Sequence, residues 1–194
     1  MNALWANALQ IVAELTSDDA LRRRALDVRN TFERAFWNED AGCCYDVIGD
    51  ASIRPNQVIA LSLPFPLFDD ARAESILSTI DAKLLTPVGL RSLSPDDPRY
   101  RPRLVGPQRE RDEAYHQGTV WPWLLGPYIA AAVRVRGERG RETALSLLNN
   151  MRAHLREAGV GTISECFDGD APHTPRGCIA QAWSVAEVLR ASRV

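Results

Sequence analysis

Arg54, Asn56, Gln57, His116, Gln117, Glu165, Asp168 and Asp170 are the polar side chains that stand next to the beginnings of long apolar runs. Trp121, Trp123 and Trp183 fall in the first turns of such runs, and Trp5 lies near the start of the chain. Amides, carboxylates and guanidinium groups supply the paired donors and acceptors that sugar hydroxyls need, and indole rings pack against sugar faces. This set points to carbohydrate recognition. Cleavage of a glycosidic bond would further require two carboxyl groups across the scissile bond, one as acid and one as base or nucleophile.

Each of these residues also has a plainer reading. Trp183 fits a core position, His116 and Gln117 fit a helix cap, and Glu165 fits an ordinary loop carboxylate. Asp168-Gly169-Asp170 resembles a fragment of a calcium loop but lacks the remaining ligand spacing. Arg99, Arg101, Arg103, Arg109 and Arg111 are diluted by Glu110, Asp112 and Glu113 and read as a solvated loop. No GxGxxG, GxxxxGK[ST] or GxSxG motif occurs. The three histidines, His116, His154 and His173, are too scattered for a zinc constellation. The reading calls for no metal and no cofactor.

The 194 residues are 45% hydrophobic and 25% charged, with a net charge of −2. That excludes disorder, and the charge balance argues against nucleic acid or an anionic membrane as the main partner. The longest apolar stretch, 120–133, is too short to span a bilayer and contains Pro122, Gly126 and Pro127. No charged-then-apolar leader is visible. Cys43, Cys44, Cys166 and Cys178 have no CxxC spacing and read as reduced thiols of a cytoplasmic protein.

The apolar spacing predicts an all-α protein. Three segments, 20–36, 70–84 and 142–155, carry one apolar stripe and one charged face. Four others, 3–15, 58–63, 120–133 and 179–189, are apolar nearly all round and are expected to be buried. The two kinds alternate along the chain. Arg54-Pro55-Asn56-Gln57, Tyr115-His116-Gln117-Gly118 and Arg176-Gly177-Cys178-Ile179 each precede a buried segment, and their first residues stand 61 apart in both intervals. A repeat of that length means a stacked supersecondary unit of two helices and a long loop. A barrel of α-hairpins, with buried inner helices and amphipathic outer ones, accounts for it. The long loops 86–114 and 156–177 would then crowd one end, around the starts of the inner helices.

Several strings resemble the amylo-α-1,6-glucosidase part of glycogen debranching enzymes. They are Asn2-Ala3-Leu4-Trp5-Ala6-Asn7-Ala8-Leu9, Arg54-Pro55-Asn56-Gln57, and Leu85-Thr86-Pro87-Val88-Gly89-Leu90-Arg91-Ser92-Leu93. To these are added Tyr115-His116-Gln117-Gly118-Thr119-Val120-Trp121-Pro122, and the pair Ser164-Glu165-Cys166-Phe167-Asp168-Gly169-Asp170 and Arg176-Gly177-Cys178-Ile179-Ala180-Gln181-Ala182-Trp183-Ser184. Ala6 departs from the pattern, which often has tyrosine there. The resemblance implies an (α/α)6 barrel and hydrolysis of α-1,6-linked glucose at branch points with inversion, the carboxylates standing roughly 6.5–9.5 Å apart. By motif, Glu165 would be the general base. Trp5, Arg54, Asn56, Gln57, Arg91, His116, Gln117, Trp121 and Trp183 would shape the glucose pocket.

The family's general acid is an aspartate in a Trp-Met-Asp-Ala string ahead of the first motif, and this sequence has none. Residues 1–194 are therefore expected to form the C-terminal portion of the barrel, about seven of its twelve helices, with the acid upstream. The expected partners are an α-glucan (glycogen or limit dextrin) and either the missing part of the barrel or a second copy at the open edge. A non-catalytic carbohydrate-binding or assembly fragment, and a glucoamylase- or trehalase-like α-glucosidase, are the alternatives.

Overall fold

The computed structural model describes residues 1–193. The chain opens with a helical pair. Helix α1 (Asn2–Thr16) stops at Ser17, whose backbone is left-handed at φ 53°. Asp18 then caps α2 (Asp19–Phe36) by accepting from the amides of Ala20 and Leu21. A short hairpin of β1 (Trp37–Asn38) and β2 (Cys43–Cys44) follows. Next come α3 (Gln57–Ser62) and α4 (Asp70–Lys83), the latter capped by the Asp69 carboxylate.

The later part alternates small strands with helices. In order these are β3 (Leu85–Thr86), β4 (Gly89–Arg91), α5 (Gln108–Ala114), β5 (Val120–Trp121), a 3-10 turn (Pro122–Leu124), α6 (Leu125–Arg136) and α7 (Glu138–His154). The last are β6 (Cys166–Phe167), β7 (Pro175–Arg176) and α8 (Ala182–Ala191). Strands β3 to β7 form one antiparallel sheet in chain order.

The helical expectation holds in outline, with three differences. The long loops are tied together by the five-stranded sheet and hold an extra helix, α5. The strands are two or three residues each, too short to leave an alternating pattern. Segment 120–133 enters its helix through a strand and a 3-10 turn, because Pro122 cannot donate to a ladder. The third difference concerns burial. Helices α1 and α8 are not enclosed on all sides: Leu15 is 81% exposed and Trp183 57%.

The core sits between α3, α4 and α6, where Val58, Leu61, Ile76, Leu77, Ile80, Leu125, Tyr128 and Ile129 are fully buried. Arg136 at the end of α6 crosses to α4, donating to Glu74 (2.9 Å) and Asp81 (2.7 Å), while the Tyr128 hydroxyl also donates to Asp81 (2.6 Å). Helix α7 approaches α6 closely at Gly140, where a Cβ would lie 2.2 Å from the Ala132 carbonyl oxygen. Among the described residues no helix is long and apolar enough to cross a membrane.

Candidate active site

The five-stranded sheet decides which loop residues meet. Leu90 pairs with Trp121 and Val120 with Phe167, both antiparallel, which sets β5 beside β4 and β6. Tyr115 and Glu165, far apart in sequence, are thereby brought together: the Tyr115 hydroxyl donates to Glu165 Oε1. The other carboxylate oxygen, Oε2, accepts from the Cys178 amide at 2.8 Å. The Glu165 amide in turn donates to the Cys178 carbonyl at 2.9 Å, which locks the start of β6 to the end of β7. Gly177 turns the chain between them at φ +66°, and a Cβ there would stand 2.3 Å from Glu165 Oε2. Glycine is needed at this position for both reasons.

Tyr115 and Glu165 line a cleft of about 570 Å³. Its polar walls include Asp46, Arg54, Asn56, Ser92, His116 and Gln181, and its apolar walls include Trp121, Trp123, Leu124 and Trp183. Trp123 and Trp183 stack with ring centroids 4.6 Å apart and planes at 14°. His116 stacks on Trp121 at 5.3 Å and 16°. Burial, and then the neighbouring Arg54, hold the His116 ring below its ordinary range, so it is neutral near pH 7. Burial, followed by the bond to Glu165, pushes the Tyr115 phenol well above its usual range, so the hydroxyl keeps its proton and stays a donor.

Arg54 holds the cleft in shape. One guanidinium nitrogen donates to the carbonyls of Ser92 (3.1 Å) and His116 (2.7 Å), and the other to Gln117 Oε1 (2.8 Å). Asn56 donates to Asp46 Oδ1 at 2.9 Å. Gln57 is buried, accepts from the Cys44 amide (3.0 Å) and donates to the Arg54 carbonyl (3.0 Å). Arg91 donates to the Gly169 carbonyl at 2.9 Å, tying β4 to the turn after β6.

Of the residues singled out in the sequence, Arg54, Asn56, His116, Trp121, Glu165 and Trp183 line the cleft. Gln57, Arg91, Gln117 and Trp5 stand outside its lining. The first three are spent on hydrogen bonds within the protein, and Trp5 sits on the exposed face of α1. Asp168 is a structural group, accepting from the Leu104 amide (3.1 Å) and from Arg176 (2.8 Å). Asp170 accepts from Tyr100 at 2.9 Å, and the Tyr100 phenol is pushed up to about 12 by burial and by that carboxylate. Burial likewise pushes the Cys166 thiol up to about 12, which removes it as a nucleophile.

Asp46, Tyr115, Ser92 and Gln181 were not chosen from the sequence as site residues. Tyr115 directly precedes His116 within a quoted motif, so its position was signalled though its role was not. Asp46 in Cys44-Tyr45-Asp46-Val47 carried no signal beyond being a loop carboxylate.

The architecture is shared with solved glycosidases. Over 99% of its length the chain superposes on 36% of the neutral trehalase of Saccharomyces cerevisiae, with a TM-score of 0.69 and 14% identity. Over 98% it superposes on 44% of the mannosylglycerate hydrolase of Thermus thermophilus, with a TM-score of 0.63 and 18% identity. The fold is thus that of the (α/α)6 six-hairpin glycosidases, of which this chain spans less than half. The profile of the amylo-α-1,6-glucosidase family matches residues 1–190, and the chain belongs to that family. It is also 36% identical over 88 residues to the glycogen debranching enzyme of Saccharomyces cerevisiae, covering 42% of this chain and 6% of that protein.

Proposed function

We propose that this chain forms the base-bearing wall of a debranching-type glycoside hydrolase that releases α-1,6-linked glucose from a branched α-glucan with inversion. The observation that carries this reading is Glu165, a carboxylate at the cleft whose two oxygens are each held by a neutral donor, the Tyr115 hydroxyl and the Cys178 amide. Neutral donors orient a carboxylate without tying it up in an ion pair, leaving lone pairs free to take a proton from water. The stacked Trp123 and Trp183 supply flat apolar surface for a sugar face, and Asn56, Arg54 and His116 supply polar groups around it. The general acid comes from a part of the enzyme outside these residues, in the cytoplasm of the cell that stores the glucan.

The test is glucose release from limit dextrin by a complete barrel, supplied as one polypeptide or by adding the upstream segment. Glu165→Gln is expected to lower kcat by about 10²–10⁴-fold, and NMR should show β-glucose as the first product. Wild-type kcat in that variant, or α-glucose appearing first, would overturn the reading.

The exposed apolar faces of α1 and α8 favour a second function for the same chain, assembly with another part of the barrel or with a second copy. Saturable maltooligosaccharide binding without turnover under every reconstitution would favour assembly and binding over catalysis.

A further inference from the structure

The Tyr115 side chain is held more firmly than packing against a sugar would require. It follows the last turn of α5, and its own carbonyl accepts from Thr119 Oγ1 (2.6 Å) and Trp121 Nε1 (3.3 Å). Its ring meets His116 edge-on at 4.7 Å and Trp121 edge-on at 4.9 Å. The hydroxyl at the end of this braced ring has one acceptor, Glu165 Oε1. On the other side of the same carboxylate, the Cys178 amide and the turn at Gly177 complete the clamp.

We infer that Tyr115 is a positioning residue for the reaction: its hydroxyl fixes the rotation of the Glu165 carboxylate, and the aromatic brace fixes Tyr115. The inference rests on Glu165 acting as the base. A carboxylate held by the Cys178 amide alone can still rotate about its last bond, which moves the oxygen that must take a proton from water. A misplacement of that kind is worth about 10- to 100-fold in rate. Tyr115 itself transfers no proton, because its phenol is held well above its usual range and stays protonated.

The test is a double-mutant cycle on glucose release by the complete barrel. Tyr115→Phe keeps the ring and removes the hydroxyl. With Glu165 present, we expect kcat to fall about 10- to 100-fold while KM stays within about twofold. In the Glu165→Gln background, Tyr115→Phe should change the residual rate by less than about twofold, because there is no base left to orient. An equal loss in both backgrounds, or a rise in KM that accounts for the loss, would make Tyr115 a packing residue and overturn the inference. Unchanged kcat in Tyr115→Phe alone, with Glu165→Gln inactive, would overturn it and leave the base assignment standing. Full activity in Glu165→Gln would instead overturn the base assignment and the inference with it.

Tyr115→3-fluorotyrosine keeps the donor and tests the inference even if the Phe variant fails to fold. It should retain wild-type kcat and KM at neutral pH, because its phenol still donates to Glu165. Loss of activity at neutral pH with the donor kept would overturn the inference.

Discussion

Helix α6 in the middle of the chain and helices α1 and α8 near its ends are built from the same kind of residue, yet they meet water differently. Leu125, Tyr128, Ile129, Ala131 and Ala132 of α6 are buried, because α3, α4, α7 and α8 all pack on it. In α1 the small residues Ala3, Ala6 and Ala13 are buried against α2 and α3, while Leu4, Trp5, Ile11, Val12 and Leu15 face outward. In α8, Ser184 and Ala191 are buried and Trp183 and Leu189 are exposed. An apolar helix is enclosed only where neighbours exist on every side. The two flanking helices carry the composition of inner helices without the neighbours.

The sharpest separation between the two regions should come from truncating large side chains. Ile129→Ala in α6 or Ile76→Ala in α4 is expected to cost about 2–5 kcal/mol, whereas Leu15→Ala in α1 should stay within about 0.5 kcal/mol. Urea denaturation followed by circular dichroism reads both. Equal losses at the two sites would mean that α1 is covered in solution.

A smaller effect, about 1.5–3 kcal/mol, is expected for Arg136→Met, which strips Asp81 and Glu74 of their charged donor beside the buried Tyr128. The hydrogen bonds from Arg136 hold the Glu74 carboxyl below its ordinary range. Ionised Glu74 therefore favours the folded state above the usual carboxylate range, and this contribution is lost as pH falls through the lowered folded-state value. The urea midpoint of wild type should drop on acidification through that window, and the drop should shrink in Arg136→Met.

The smallest effect on stability is expected at the flanks. Replacing Leu15 and Leu189 together by Ser should leave the urea midpoint nearly unchanged, since both side chains already face water. The same change should lower concentration-dependent association measured by sedimentation velocity. Association unaltered by it would move the sticky surface away from α1 and α8.

The helices were legible because burial on one stripe leaves a period of 3.6. The ranges 20–36 and 70–84 match Asp19–Phe36 and Asp70–Lys83 to within a residue or so. The start of α8 was less so: the run from Ile179 becomes helical only at Ala182, after the chain has left β7. Arg54 and Glu165 were chosen for their place beside buried helices, and both line the cleft. Gln57 and Gln117 were chosen on the same ground and are spent inside the protein, since a loop amide looks alike in sequence whether it faces a ligand or a backbone group.

Residue pattern alone was enough to establish a helical protein of repeating hairpins, because hydrophobic period and motif spacing are local properties of the chain. Which loop residues touch was decided by the tertiary structure. The Val120–Phe167 pairing, the Tyr115–Glu165 bond and the Trp123–Trp183 stack each join segments tens of residues apart. Contacts of that range depend on how five very short strands find one another, and strands of two or three residues leave no periodic trace in the sequence.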